Sequence, residues 1–265
     1  MEITGNYRLS AERIAEFRAN GHILLREVAS GEEIQFFRPV IGRAVSQYSR
    51  ETRPLAERDT YGRAFLQITN LWEVDESVRQ FVFARKFARA AADLLGVENV
   101  RLYHDQALFK EAGGGYTPWH QDQFYWNLDT PDTVTMWMPL VETTAEMGLM
   151  KFASRSHLGG LFDEITISDT SAEIYSRIIE DHGFRISCPA TMQAGDATFH
   201  YGHTIHCAGG NSTAITREVM TVIYFADGAK ITEPLNNFQA TDHRRWLDAL
   251  PVGTTANGRL NPVLT

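Results

Sequence analysis

A series of short apolar runs in the second half of the chain limits the fold more than any other sequence feature. From residue 98 onward, β-branched and aromatic residues cluster in short stretches that are separated by turn-forming residues. The stretches read "VRLYHDQALFKEA", "TVTMWMPLVE", "GLMKFAS", "DATFHYG" and "EVMTVIYFAD". Repeated short strands with intervening turns are typical of β-sandwiches and barrels. We therefore predict a β core over residues 98–228.

The first 97 residues carry helix signals instead. Ser10 is a helix N-cap that precedes "AERIAEFRA", and Gly21 follows as a stop signal, while "HILLREVA" reads as a strand. Ser30 and Glu33 form a capping box for the next helix. Apolar residues at helical spacing continue to Gly96 in one helix or two. We predict a helical support layer over 1–97 and a C-terminal tail over 229–265, within a single domain of 265 residues.

Charge and hydropathy narrow the classes of partner. The chain has 25 basic and 33 acidic residues, and this net charge of −8 argues against nucleic acid as a partner. The sequence contains no apolar stretch long enough to suggest a membrane span. The N-terminus lacks the pattern of a secretory signal, and only two cysteines occur, so a cytoplasmic location is expected. A small molecule is the expected partner.

The stretch "HQD" at residues 120–122 is the first candidate for a metal site. If the backbone is extended there, His120 and Asp122 project to one face while Gln121 projects to the other. An imidazole and a carboxylate then lie within reach of one ion. Such a pair is common without a metal, so the interpretation requires a third ligand from elsewhere in the chain.

A later segment, "GDATFHYGHTIHCAGGNSTAITR", offers three candidates for that ligand: His200, His203 and His206. Turn signals at Gly195 and around 209–211 predict two strands there, with the second starting near Arg217. Arg217 follows His206 by 11 residues, which predicts that the two lie on neighbouring strands. Two His and one Asp with open positions form the facial triad of non-haem Fe(II) oxygenases, and an Arg fork suits a carboxylate co-substrate.

These motifs resemble the phytanoyl-CoA dioxygenase family of Fe(II)- and 2-oxoglutarate-dependent oxygenases. The resemblance follows chain order through "ALFKEAGGGYTPWHQD", "TMWMPLVETTAEMGLMKFASRSH" and "GDATFHYGHTIHCAGGNSTAITR", and the ending "PVGTTANGRLNPVLT" is also similar. It implies a mainly β fold with flanking helices, in which a double-stranded β-helix (a jelly-roll, cupin-like core) spans about residues 98–228.

The resemblance also implies roles for individual residues. His120, Asp122 and His206 would hold Fe(II), because the family's distal ligand is the last His in a pattern like "FHYGHTIH". Arg217 would bind the distal carboxylate of 2-oxoglutarate. The family further places Lys110, Trp137 and Gln106 near the co-substrate. His200 and His203 are then expected to be ordinary structural residues.

The implied activity is that of a 2-oxoglutarate-dependent dioxygenase, an oxidoreductase that consumes O2 and 2-oxoglutarate and releases succinate and CO2. Hydroxylation is the expected outcome, and the carboxylate of Asp122 argues against a halogenase. If residues 122–126 continue the strand, at least one of Phe124, Tyr125 and Trp126 should face the substrate. A zinc hydrolase with the same three ligands and a non-catalytic 2-oxoglutarate sensor remain as alternatives.

Overall fold

The computed structural model describes residues 3–162 and 165–265, in which helices precede and follow two main β-sheets. The helices are α1 (Ala11–Asn20), α2 (Gly31–Tyr48), α3 (Thr60–Ala64), α4 (Glu76–Val82), α5 (Arg85–Leu95), α6 (Asp169–Asp181) and α7 (Asn237–Trp246). The strands are β1 (His22–Leu25), β2 (Leu66–Thr69), β3 (Val100–Phe109), β4 (Thr117–His120), β5 (Thr133–Pro139), β6 (Thr143–Thr144), β7 (Met150–Ala153), β8 (Ile186–Ser187), β9 (Thr191–Met192), β10 (Ala197–Tyr201), β11 (His206–Ala208) and β12 (Val219–Ala226).

The N-terminal helices begin and end where the sequence signals predict. The Ser10 hydroxyl accepts a hydrogen bond from the Arg13 backbone N–H, and α1 ends at Gly21, whose φ of 83° suits glycine. Ser30 and Glu33 form the predicted capping box at the start of α2. The apolar stretch that ends at Gly96 forms two helices, α4 and α5.

The larger sheet has six antiparallel strands in the order β1-β10-β5-β12-β3-β2. Its outer face packs against α1, α2, α4 and α5, whose apolar residues form one continuous buried cluster with those of the sheet. The sheet also includes β1 and β2, which belong to the first 97 residues. That region therefore supplies two edge strands in addition to the predicted helices.

The smaller sheet has four antiparallel strands in the order β4-β11-β7-β8. Residues of both sheets share a second buried cluster, in which Leu108, Trp137 and Val219 of the larger sheet meet Phe152 and Ala208 of the smaller one. Two antiparallel sheets that face each other across such a layer form the predicted jelly-roll. None of the helices in the described residues is long and apolar enough to cross a membrane.

The predicted tail packs against the core. Its backbone pairs with β3 at its end, where Val263 bridges to Arg101 and the Leu102 N–H donates to the Pro262 carbonyl at 3.1 Å. Helix α7 precedes this C-terminal segment in the chain. The Gln239 side chain ties α7 to the core by donating to the Phe124 carbonyl at 3.0 Å.

Candidate active site

The pairing of β4 with β11 brings together two of the predicted ligands. His120 is the last residue of β4, and His206 is the first residue of β11. The two are direct partners in the antiparallel register, and their ring centroids lie 4.1 Å apart. Both residues are more than nine-tenths buried. Strand register thus places two imidazoles on one face of the smaller sheet.

Asp122 also lies beside the two imidazoles, but its backbone is not the extended strand that we predicted. The strand ends at His120, and residues Asp122–Tyr125 form a 3-10 helix. Even so, Oδ1 of Asp122 lies 3.5 Å from Nε2 of His120 and 3.6 Å from Nε2 of His206. Such separations are close to those of ligands that each bind one ion at about 2.1 Å. The ligand atoms of the three residues all lie within 4.8 Å of one another.

Backbone contacts fix how the two imidazoles present their nitrogens. Nδ1 of His120 lies 2.8 Å from the Pro118 carbonyl, and Nδ1 of His206 lies 2.9 Å from the Thr204 carbonyl. A carbonyl only accepts, so each Nδ1 carries a proton and each Nε2 is the nitrogen that faces Asp122. This is the tautomer that a metal requires, and the same two-residue offset produces it on both strands.

The electrostatics of the site favour metal binding. Burial lowers the pKa of His206 well below its ordinary value, and neighbouring His120 and His200 lower it further. Burial by itself would raise the pKa of Asp122, but the three surrounding imidazoles hold it well below the usual range. The site therefore presents a neutral imidazole and an ionised carboxylate, which are the forms that bind a divalent cation.

His200 and Thr135 hold the second oxygen of Asp122. Nε2 of His200 lies 3.3 Å from Oδ2, and the Thr135 hydroxyl donates to the same oxygen at 3.0 Å. Residues 200 and 135 are direct partners on β10 and β5. We predicted His200 to be an ordinary structural residue, and its contact with Asp122 was not predicted. The signal that could have found it is the alternation of "ATFHY", which turns residues 198 and 200 to one face.

Arg217 is buried at the same cavity without an acidic partner. It is 1% exposed, and no carboxylate in residues 3–162 or 165–265 lies within ion-pair distance of it. Its Nη1 donates to the Gly148 carbonyl at 2.5 Å, while its Nε has no hydrogen-bond partner among the described residues. The guanidinium lies 5.2 Å from the ring centroid of Trp137. Burial lowers the pKa of Arg217 to about 9. A buried fork with an unused N–H is suited to an incoming carboxylate.

The other residues that we predicted near the co-substrate lie around Arg217. Gln106 and Trp137 line the cavity, whereas Lys110 lies behind the lining. The backbones of Lys110 and Arg217 exchange two hydrogen bonds of 2.9 Å. Lys110 is fully buried, and its ammonium donates to the Gly115 carbonyl. Burial, followed by the charge of Arg217, lowers the pKa of Lys110 to about 6.

Arg217 and His206 come from opposite sheets. His206 lies on β11 of the smaller sheet, whereas Arg217 bridges to Lys110 at the end of β3 and leads into β12 of the larger one. The prediction that they lie on neighbouring strands is wrong, because the chain crosses between the sheets after Gly209 and Gly210. The side chains of both nevertheless line one cavity.

That cavity has a volume of about 470 Å³, within the range of small-molecule sites. Tyr125 and Trp126 line it, but Phe124 does not. The 3-10 helix replaces the strand alternation that we assumed, and it places Phe124 behind the wall, with its ring against Tyr125 and Phe238. The placement of Phe124 therefore gives no support to its predicted contact with substrate.

Gln121 fixes the loop beside the site rather than contacting the cavity. Its Nε2 donates to the carbonyls of Gly160 and His203 at 2.7 and 2.6 Å. Its Oε1 accepts from the Phe162 N–H at 2.9 Å and from the Tyr175 hydroxyl at 3.3 Å. The side chain is thus fully hydrogen-bonded and buried, between the two ligands of "HQD".

Comparison with known proteins identifies relatives of the chain. A sequence profile of the phytanoyl-CoA dioxygenase (PhyH) family matches residues 17–219. A probable alpha-ketoglutarate-dependent hypophosphite dioxygenase from Stutzerimonas stutzeri is 26% identical over 159 residues. The alignment covers 58% of this chain and 54% of that protein, so the chain matches about half the length of this relative.

Two solved structures share the fold over nearly the whole chain. The carbocyclase SnoK from nogalamycin biosynthesis has a TM-score of 0.80 at 23% identity, covering 99% of this chain and 100% of its own. The epimerase SnoN, in complex with Fe3+, alpha ketoglutarate and nogalamycin RO, has a TM-score of 0.79 at 24% identity, covering 96% and 98%. EctD from S. alaskensis, solved with 2-oxoglutarate and 5-hydroxyectoine, has a TM-score of 0.69 at 19% identity, covering 88% and 83%.

Proposed function

The chain belongs to the phytanoyl-CoA dioxygenase family of Fe(II)- and 2-oxoglutarate-dependent oxygenases, and from that premise we propose that it oxidises an unactivated C–H bond of a small organic molecule. Hydroxylation is the proposed outcome, with one succinate and one CO2 released for each O2 and 2-oxoglutarate consumed. One observation carries the proposal: His120, Asp122 and His206 converge in the same cavity as a buried Arg217 that has no acidic partner in the described structure.

The residues fit iron and the co-substrate. Two imidazoles and a carboxylate provide the nitrogen and oxygen donors of the facial triad, and they leave part of the coordination sphere open. Bound iron supplies the centre at which O2 is activated at the expense of 2-oxoglutarate. Arg217 would hold the distal carboxylate of 2-oxoglutarate through its guanidinium, which lies 5.2 Å from the Trp137 ring centroid.

The chain's own side chains orient the Asp122 carboxylate and limit the access of water to the cavity. Thr135 and His200 occupy Oδ2 of Asp122, which leaves Oδ1 for the ion. Tyr125 and Trp126 supply apolar wall next to the ligands. A mostly apolar wall excludes water from the reacting centre and strengthens each polar contact inside it. The structure of SnoN, which contains Fe3+ and alpha ketoglutarate, supports the proposal that this cavity binds iron and the co-substrate.

The two alternatives from the sequence explain less of the site. A zinc hydrolase accounts for the three ligands, but it gives no role to the buried guanidinium of Arg217. A sensor that binds 2-oxoglutarate without turnover uses the same residues, and only an assay of turnover separates it from an enzyme. The relatives include a probable dioxygenase, the epimerase SnoN and the carbocyclase SnoK, so the assay must identify the product as well as measure succinate.

The test is substrate-dependent formation of succinate by the Fe(II)-loaded enzyme with O2 and 2-oxoglutarate, followed by mass spectrometry of the product. Hydroxylation adds one oxygen, ring closure or desaturation removes two hydrogens, and epimerisation leaves the mass unchanged. Asp122→Ala at matched iron exposure is the negative control. Absence of succinate with every substrate, combined with measurable 2-oxoglutarate binding, would identify the sensor instead.

A further inference from the structure

Helix α7 contributes one wall of the cavity through residues on a single face. Phe238, Asp242 and Trp246 are spaced at i, i+4 and i+8, and all three line the cavity. The helix is held against the 3-10 segment that begins at Asp122, since Gln239 donates to the Phe124 carbonyl. A segment distant in sequence from the ligands thus presents a carboxyl between two aromatic rings.

Asp242 accepts hydrogen bonds from neutral groups and forms no salt bridge with any described residue. The Tyr103 hydroxyl donates to its Oδ2 at 3.4 Å. Throughout residues 3–162 and 165–265, no Lys, Arg or His lies within ion-pair distance of this carboxyl. Burial raises the pKa of Asp242 to about 7, although the Tyr103 hydrogen bond and the charge of Arg245 act in the opposite direction. A carboxylate in this position gains free energy when a ligand brings a positive charge.

Several aromatic rings line the same cavity as the Asp242 carboxyl. The cavity wall includes Tyr61, Tyr125, Trp126, Phe238 and Trp246. Phe238 packs edge-on against Tyr125 with centroids 5.8 Å apart. Faces of such rings attract cations, and desolvation strengthens the attraction. The ring cluster and the carboxyl therefore favour the same kind of ligand group.

Arg245 also lines this part of the cavity, but it is directed to other contacts. Its guanidinium lies 4.2 Å from the Trp246 centroid, and its Nη2 donates to the Thr69 hydroxyl at 3.3 Å. The residue is exposed to solvent. His104, another wall residue, has a pKa lowered by burial to about 4, so it is neutral near pH 7.

We propose that Asp242 and the rings of Tyr125, Phe238 and Trp246 form a subsite for a positively charged nitrogen, so that the substrate is an apolar or aromatic molecule that carries an amine. The inference rests on the proposed function, because it assigns the substrate class of the same cavity. An anionic group at this position would be repelled by Asp242, and the guanidinium of Arg245 beside it already lies over the Trp246 ring. A purely apolar group would remove water from the Asp242 carboxyl without giving it a new polar partner.

Binding to the loaded enzyme without O2 tests the subsite apart from turnover. The probes are 2-phenylethylamine and its neutral counterpart 2-phenylethanol, titrated by calorimetry into enzyme that holds Fe(II) and 2-oxoglutarate under anaerobic conditions. We expect the amine to bind more tightly than the alcohol. Asp242→Asn should weaken amine binding by about tenfold and leave alcohol binding unchanged, because the amide keeps the shape and loses the charge.

Asp181→Asn, which removes an exposed carboxylate from α6, is the control for net charge and should change neither affinity. Equal binding of the two probes to the unmodified enzyme overturns the inference, and so does an Asp242→Asn variant with unchanged amine affinity. Melting temperatures show whether each variant is folded. Failure of the proposed function appears separately, as absent succinate in the oxygenated assay, and it leaves the anaerobic binding result intact.

Discussion

His206 lies directly opposite His120 across the antiparallel pair of β4 and β11. The register that forms the smaller sheet therefore also sets the separation of the two imidazoles. A slip of one residue in either strand would turn one of them to the other face of the sheet. Because each Nδ1 is bound by a carbonyl of its own strand, ring orientation is set by the same backbone.

This geometry predicts which imidazole in "FHYGHTIH" the metal needs. His206→Ala should abolish high-affinity Fe(II) binding, since it removes one of only three ligands. His203→Ala should leave Fe(II) affinity nearly unchanged, because the residue contacts the site only through its backbone carbonyl, which accepts from Gln121. Anaerobic Fe(II) titration of both variants measures this. Equal losses in the two variants would show that the wrong imidazole has been assigned.

Arg217 should act on the co-substrate and not on the metal. Arg217→Lys keeps a positive charge but replaces the planar fork with a single ammonium, so we expect the KM for 2-oxoglutarate to rise by about tenfold or more. Fe(II) affinity should stay constant, because Arg217 contacts none of the three ligands. Steady-state kinetics of succinate formation, with a parallel iron titration, provide both values. An unchanged KM would mean that another residue binds the carboxylate, and Lys110 would be the next candidate.

The sequence predicted the local elements of the fold well, because their signals are local. Ser10, Ser30 and Gly96 mark helix ends that the structure confirms. The β runs after residue 98 were also predicted, since alternation and turn residues act over a few positions. The resemblance to a family supplied the double-stranded β-helix, and the structural relatives confirm it.

The features that the sequence did not predict depend on contacts between distant segments. The 3-10 turn at Asp122 interrupts an alternation that nothing in "HQDQFYW" marks as broken. The contact of His200 with Asp122 requires β10 to pair with β5. The role of Asp242 as a wall residue requires a tail helix to dock beside the ligands. Spacing along the chain carries no information about such docking.

Lys110 should make stability depend on pH. Burial and the charge of Arg217 lower its folded-state pKa to about 6, so between about pH 6 and 10 the unfolded chain binds a proton that the folded chain does not. Stability from this residue therefore rises with pH, by up to about 1.4 kcal/mol per pH unit. We expect the free energy of unfolding of the unmodified protein, relative to Lys110→Met, to increase from pH 7 to pH 9 in urea titrations without 2-oxoglutarate. A constant difference would contradict the lowered pKa.

Thr135 should increase the affinity for Fe(II) by orienting Asp122. Its hydroxyl donates to Oδ2 at 3.0 Å, on the strand next to His200, and this contact turns Oδ1 toward the two imidazoles. Thr135→Val keeps the shape and removes the donor, so Fe(II) affinity should fall by about tenfold or more, as for other residues that orient metal ligands. Thr135→Ser restores the donor and should retain most of the affinity. At saturating iron, both variants should show an ordinary KM for 2-oxoglutarate, because neither change reaches Arg217. Anaerobic Fe(II) titration decides the matter: equal affinities for the Val and Ser variants would mean that Asp122 is oriented by its backbone and His200 alone.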